Sequence, residues 1–411
     1  MIKISDKKQC CGCSACVQAC PKKCLSLIED DTGFLYPSVD NEMCVNCRMC
    51  EKVCPVINRN EENRPIRIAA SINKNEDQRR ESSSGGIFVI LAEQIIDKGG
   101  VVFGAKFDKD WMVTHSYTDN KDELKVFQGS KYVQSRIGDS YKHAKVFLEQ
   151  GKDVLFSGTP CQIAGLKRFL QKDYEKLLTV EVICHGVPSP GVWRDYLQYV
   201  RRPKGAGGGQ NTVSLSLNET PSLEGISFRD KQNGWSKFGF VVRYSADQRE
   251  AEKFGLSSVD ANTEIREYHK NNLYMQCFLS NVILRPICFA CPFKSGASHA
   301  DISLGDFWTV NQYLHEINDD KGVTLVYVLT EKGSKIFDLV KTKNYELNKD
   351  IKYNLAFNQS AEVKYPPKKF WKLYKAEGFN CMKIVNRKIK PSFLERCIIS
   401  LKSRFTRIIN H

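Results

Sequence analysis

The sequence holds no run of eighteen apolar residues, so no segment is expected to span a bilayer. Met1, Ile2, Lys3 and Ile4 lead straight into cysteines, without the apolar stretch of a secretory signal, and the expected location is the cytoplasm. No G-x-G-x-x-G turn follows a strand pattern and no G-x-x-x-x-G-K-[ST] loop occurs, which argues against a Rossmann dinucleotide site and a P-loop. The glycine-rich stretch from Arg202 to Thr212 reads as a mobile loop rather than a phosphate cradle, because no helical pattern follows it. Strong charge is missing from the body of the chain as well. Of the formal net charge of +14, the segment from Lys364 to His411 supplies +11, with thirteen Lys or Arg against two Glu. A basic tail is thus added to a nearly neutral body. No DNA- or RNA-binding motif accompanies it, and nucleic acid is not an expected partner.

What the chain has in excess is cysteine, seventeen in 411 residues. In a chain of this size without an export signal, such cysteines point to metal rather than disulfides. Ten lie before residue 60. Cys10, Cys13, Cys16 and Cys20 precede Pro21, and Cys44, Cys47, Cys50 and Cys54 precede Pro55, the same pattern 34 residues later. Both match the C-x2-C-x2-C-x3-C-P run of bacterial ferredoxins, whose fourth cysteine serves the other cluster. One [4Fe–4S] cluster is therefore assigned to Cys10, Cys13, Cys16 and Cys54, and the other to Cys44, Cys47, Cys50 and Cys20. The alternative is a pair of zinc sites, which require neither the third cysteine at this spacing nor the proline. Cys11 and Cys24 are left over and read as packed thiols. Leu25 to Ile28 and Phe34 to Tyr36 flank Asp30-Asp31-Thr32-Gly33, a hairpin signal.

The polar stretch from Asn58 to Pro65 marks a boundary, after which the pattern becomes α/β. Ser82, Ser83 and Ser84 are expected to cap a helix carrying Ile87, Phe88, Leu91 and Ile95, followed by a strand at Val101-Val102-Phe103. Helix is expected over 141–149 and 162–170, strand over 153–156 and 178–184, an alternation that implies parallel pairing. Further strands are expected near 213–217 and 238–244, then a helix over 264–283.

Ser84-Gly85-Gly86, Gly129 to Ser135 (GSKYVQS), Gly158-Thr159-Pro160-Cys161, Cys184 to Pro190 (CHGVPSP), Cys288-Phe289-Ala290-Cys291 and Asp301 to Asp306 (DISLGD) occur in this order. Together they resemble the coenzyme F420 hydrogenase/dehydrogenase beta-subunit family, from about Ile66 to Phe307. The fold this implies is α+β and α/β multidomain: a two-cluster ferredoxin-like module over 1–60, then a mixed α/β flavin-binding domain whose parts span 61–140 and 141–355. Residues 356–411 form a basic tail. The resemblance implies an FAD, at least one further [4Fe–4S] cluster, and electron exchange with an organic substrate. Relatives act on the deazaflavin F420 or on chlorophyll intermediates, or accompany surface-polysaccharide genes.

The residues themselves agree with that implication. Ser84, Gly85 and Gly86 open a helix whose N–H groups suit a pyrophosphate, or else form an ordinary cap. Ser130, Lys131, Tyr132 and Gln134 are candidate flavin contacts, Lys131 stabilising a reduced anionic ring, and Asp301 and Asp306 bracket a strand as hydroxyl acceptors or turn formers. Cys161, Cys184, Cys288 and Cys291 make a third cubane site, for which Cys277 competes from a helix interior. Cys381 and Cys397 look unrelated. His185 serves either as a proton donor or to orient its loop. In the tail, Phe393, Leu394, Cys397, Ile398, Leu401, Phe405, Ile408 and Ile409 share one helical face opposite Arg396, Arg404 and Arg407. That helix either lies on the inner face of an anionic membrane or docks on its own domain.

The function expected is an iron–sulfur flavoprotein oxidoreductase, loaded by ferredoxin or a partner subunit and acting on a deazaflavin-like small molecule or a glycan precursor. The alternative is a non-catalytic electron-transfer subunit of a larger complex.

Overall fold

A computed structural model describes residues 1–201, 223–245 and 262–389. The strand expected near 213–217, the glycine-rich loop and the tail helix with Cys397 lie outside the described residues.

The 34-residue repeat of the sequence reappears in the backbone of the first sixty residues. Two single-turn helices, α1 (Ala15–Gln18) and α2 (Met49–Lys52), start after Ser14 and Arg48, both left-handed with φ 64° and 58°. Gly12 and Asn46, also 34 apart, are left-handed too, at φ 73° and 51°. Alternating handedness turns successive N–H groups inward, a backbone concavity suited to an anion. Between the repeats lies an antiparallel hairpin, β1 (Leu25–Glu29) with β2 (Leu35–Val39). Its turn is held by the Asp30 carboxylate, which accepts from Thr32 N, Thr32 Oγ1 and Phe34 N.

Eight strands form the sheet of the larger part: β3 (Arg67–Asn73), β4 (Val101–Phe107), β5 (Val113–Thr118), β6 (Val154–Gly158), β7 (Leu177–Val182), then Ile302–Asp306, Thr324–Val328 and Thr342–Glu346. Strands β8 (Leu223–Asp230), β9 (Gly239–Ser245) and β10 (Asn262–Tyr268) make a separate antiparallel sheet, so the last three are β11, β12 and β13. The order is β13-β3-β12-β11-β7-β6-β4-β5, with β11, β7, β6 and β4 parallel and the flanking pairs antiparallel. The parallel pairing expected of the alternating stretch is β6 with β7. Because β3 to β5 precede residue 140 and β6, β7 and β11 to β13 follow it, both stretches contribute to a single sheet.

Alternate residues of each strand enter two cores. Phe103, Phe156, Leu177 and Tyr327 face one side, Val102, Leu155, Leu178 and Val326 the other. Helix α3 (Glu76–Glu81) precedes α4 (Ile87–Asp97), which covers the second side through Ile87, Leu91 and Ile95. The serines do not cap α4 as expected: Ser82 ends α3, and α4 starts after Gly86 at φ 82° without a side-chain cap. The first side is covered by α5 (Ser140–Glu149) and α6 (Pro160–Leu170), and the cysteine module belongs to the same core.

After α7 (Pro190–Arg201), the helix expected over 264–283 is half strand. Thr263 to Tyr268 pair in full register with β9, and the helix α8 (Leu273–Leu279) starts only where Asn272 caps it by accepting from Met275 N. Beyond α9 (Glu331–Asp338), the first part of the tail is packed structure. In α10 (Pro367–Glu377) and α11 (Cys381–Ile389), Phe370, Met382 and Val385 are fully buried. Among the described residues no helix is long and apolar enough to cross a membrane.

Candidate functional site

The two left-handed loops each close a cavity with thiols. One, of about 350 Å³, is lined by Cys20, Cys44, Cys47 and Cys50, with Cys24 as a fifth thiol. The other, of about 370 Å³, is lined by Cys10, Cys13, Cys16 and Cys54, with Cys11 as the fifth. Each cavity thus takes its fourth thiol from the opposite repeat, the exchange that the ferredoxin spacing demands. The first cavity is the outer one, since Cys47 is exposed; in the second, Cys13, Cys16 and Cys54 are buried. Burial, then the neighbouring Cys10, Cys54 and Cys50 thiols, push Cys16 up to about 12. Crowded, protonated thiols of this kind are what iron binding relieves by deprotonating them. Among the described residues no three His, Cys, Asp or Glu side chains close on a single metal ion. The thiols are spread around cavities, as cubane ligands are, which fits the iron reading better than the zinc alternative.

A third thiol group lies at the edge of the sheet where the parallel strands end. β6 runs through Gly158 into α6, whose second residue is Cys161, and Thr159 opens α6 with a capping box to Gln162. Cys184 follows the end of β7, and the parallel register of Gly158 with Glu181 carries both strands to the same edge. Cys288 sits in the turn Pro286–Ala290 and Cys291 directly follows it. Burial is the main cause that pushes Cys184 up to about 12, Cys291 up to about 11 and Cys288 higher still, and each of the three also feels Cys161. The four thiols are therefore mutual neighbours. Cys277 is not among them: it is buried in α8 against Cys381, which couples two cysteines that had seemed unrelated.

Cys11 links the inner cavity to this group. The Cys11 thiol hydrogen-bonds both Cys13 and Cys161, and it is the first cause of the upward shift at Cys161. Behind it lies Arg285, fully buried. Its guanidinium donates to Cys10 O (2.8 Å), Leu35 O (2.8 Å) and Gln134 Oε1 (2.9 Å), and reaches Cys10 Sγ at 3.5 Å. Gln134 in turn donates to Cys11 O at 2.9 Å, so this candidate flavin contact belongs instead to the wall between the two thiol groups.

Other expected flavin contacts gather in a crevice on the far side of the third group. Ser130 N donates to Ser83 Oγ at 2.6 Å. Lys131 Nζ donates to the carbonyls of Gln128 (2.9 Å) and Gly129 (3.1 Å), and burial pushes it down to about 7. The Tyr132 hydroxyl accepts from Arg229, and its ring stacks on Phe278 with centroids 4.6 Å apart. Phe278 meets His185 edge-on at 5.7 Å, next in chain to Cys184, so an aromatic path joins crevice and thiols. Arg229 grips Asp306 with both nitrogens, at 2.7 and 3.2 Å, and lies over Trp308.

Several of the expected contacts are already engaged within the protein. Ser84 Oγ donates to Val323 O and Gly85 N to Thr324 Oγ1, both at 2.9 Å, and a Cβ on Gly85 would meet Ser71 O at 2.5 Å. Gly86 carries its left-handed turn against Asn73. Asp301 is 2% exposed and accepts from Thr179 N, Thr179 Oγ1 and Thr330 Oγ1, a tie between strands rather than a free acceptor. Asp306 is held by Arg229 and by Trp235 Nε1 (2.9 Å). His185 Nε2 is bonded to Asn281 Oδ1 at 2.5 Å, and burial lowers its pKa, an arrangement that fixes the loop. Arg285, Arg229 and Cys11 were missed in the sequence; Arg285, three residues before Cys288, carried the only local signal.

Fold and thiols together define an iron–sulfur protein in which a two-repeat cysteine module is built into an α/β domain. Residues 9–58 match the 4Fe-4S dicluster domain family, and residues 151–205 and 212–352 match the family described as the C terminus of the coenzyme F420 hydrogenase/dehydrogenase beta subunit. The chain belongs to the coenzyme F420 hydrogenase/dehydrogenase beta-subunit family and carries a 4Fe–4S dicluster domain ahead of it. It is similar to the F subunit of the F(420)H(2) dehydrogenase of Methanosarcina mazei, 20% identical over 43% of this chain and 53% of that one. It is similar as well to the coenzyme F420-dependent sulfite reductase of Methanocaldococcus jannaschii, 21% identical over 83% of this chain and 47% of that one. The chain therefore spans about half the length of these relatives. A chain of the F420-reducing [NiFe] hydrogenase complex from Methanosarcina barkeri superposes with a TM-score of 0.42 at 16% identity, covering 79% of this chain and 93% of that one.

Proposed function

We propose that the chain is an oxidoreductase in which three [4Fe–4S] clusters join an external electron carrier to FAD and an organic substrate. The ligands would be Cys44, Cys47, Cys50 and Cys20 for the outer cluster, Cys10, Cys13, Cys16 and Cys54 for the inner one, and Cys161, Cys184, Cys288 and Cys291 for the third. The observation that carries this reading is Cys11, in hydrogen-bond reach of a thiol from the inner set and one from the third. Exposure of Cys47 makes the outer set the side on which a donor such as ferredoxin or a partner subunit would act.

FAD, when bound, supplies the exchange between single electrons and hydride pairs. The residues that would hold it are Ser130, Lys131 and Tyr132, with Ser83 and Arg229 lining the same crevice. In this reading Ser84, Gly85, Gly86, Asp301 and Asp306 support the crevice from behind, and Gln134 supports the inner cysteine loop. His185 would hold the loop that carries Cys184. The fit rests on the donor set: Lys131 Nζ has only two carbonyl partners, in a spot dry enough to depress its pKa, and a phosphate or reduced ring would favour its charged form. A deazaflavin of the F420 kind is the substrate class that the family suggests. A subunit role is the second reading, favoured because the chain spans only part of its relatives.

The test is anaerobic photoreduction of protein reconstituted with iron, sulfide and FAD, followed by addition of F420. Reoxidation by F420 alone supports the enzyme; reoxidation that needs a second polypeptide supports the subunit; no reduction at all contradicts both.

A further inference from the structure

We infer that Arg285 is the buried counter-ion of the inner cluster and raises its reduction potential above that of the outer one, so that electrons are drawn inward. The inference rests on the ligand assignment proposed above. Arg285 is fully buried, yet no carboxylate lies within ion-pair distance of it among the described residues; its partners are two backbone carbonyls, one side-chain amide and the Cys10 sulfur at 3.5 Å. The faces of Phe34 and Tyr36, with centroids 5.2 and 4.2 Å from the guanidinium carbon, add attraction but no charge. A guanidinium cannot shed its proton to escape such a site, and an unpaired buried ion is costly. A cluster held by four thiolates carries excess negative charge and supplies the missing anion.

Position makes the effect selective. The guanidinium reaches the first ligand of the inner set and contributes to the field at Cys161, and no cysteine of the outer set is among its partners. Each reduction adds one electron, hence one negative charge, and breaks no bond. A fixed cation beside the inner set stabilises the reduced form there more than on the outer set, in a dry region where screening is weak. Packing fixes the arrangement: a Cβ on Gly12 would come within 2.7 Å of both Arg285 and Gln134, so the loop that carries Cys10 and Cys13 closes directly on this pair.

The experiment is a potentiometric titration of the reconstituted full chain, followed by EPR, on the native protein and the Arg285→Gln and Arg285→Lys variants. A Cys47→Ser variant assigns the outer signal, since it changes one outer ligand. Arg285→Gln should shift the reduction equilibrium of the inner cluster at least tenfold towards the oxidised form, about 59 mV for a one-electron couple, and leave the outer cluster in place. Arg285→Lys should recover most of the shift. An unmoved inner midpoint at full iron content, or equal shifts in both clusters, overturns the inference. If Arg285→Gln does not retain iron, the native protein decides: inner before outer on stepwise reduction supports it, outer before inner refutes it. Absence of cubane signals from the native protein would instead defeat the ligand assignment.

Discussion

Gly165 of α6 lies directly against Cys13: a Cβ at position 165 would sit 2.8 Å from the Cys13 Cβ and 3.0 Å from its sulfur. The α/β domain thus forms part of the wall of the inner cavity, and the cysteine module is not an appended bead. Gly165→Leu should cost about 1–3 kcal/mol through overpacking and lower the iron retained by the inner set. Iron analysis with denaturant unfolding checks both; full iron at native stability would show that the two parts are not pressed together.

The third thiol group separates Cys161 from Cys277. Cys161→Ser should remove one cluster, about four irons per chain, whereas Cys277→Ala should leave the iron unchanged and cost roughly 1 kcal/mol of packing. The comparison is read by iron and sulfide content, and loss of iron from Cys277→Ala would restore that residue as a ligand.

Asp301 and Asp306 look alike in the sequence and differ in surroundings. Asp301→Ala strands two Thr179 donors and the Thr330 hydroxyl inside the sheet and should cost about 3 kcal/mol or more, with flavin affinity little changed in the protein that folds. Asp306→Asn, which leaves Arg229 without its carboxylate beside the crevice, should weaken flavin binding. Flavin fluorescence titration and chemical unfolding, run on both variants, distinguish the two roles.

Lys131 gives a signed pH dependence. Burial lowers it from 10.5 to about 7, so between these values the unfolded chain binds more protons, and its share of stability rises as pH climbs from about 7 towards 10.5. Binding of an anion runs the other way, because it needs the charged form. FAD affinity should fall as pH rises through about 7, by about tenfold, while riboflavin, without phosphate, should vary less. Lys131→Gln should flatten the FAD profile; an unchanged slope would place the phosphates elsewhere.

The sequence made legible what is local. Cysteine spacing, the Asp30 turn and the β6–α6–β7 alternation each depend on neighbours within one short stretch, and so does the 34-residue repeat that returns as paired left-handed residues. Tertiary pairing was not legible. The 264–268 stretch reads as helix until the edge of β9 is there to bond it, and Ser82 to Ser84 read as a cap although Gly86 makes the turn. Cys11 looked like a spare thiol and Arg285 like an ordinary cation, because only the docking of the cysteine module on the sheet domain brings either to a ligand.

Metal and cofactor content of protein purified without air tests the account most directly. Iron and inorganic sulfide should occur in equal amounts, about twelve of each per chain, with FAD bound after reconstitution. Protein that instead holds zinc, contains no inorganic sulfide and takes up no FAD would contradict it.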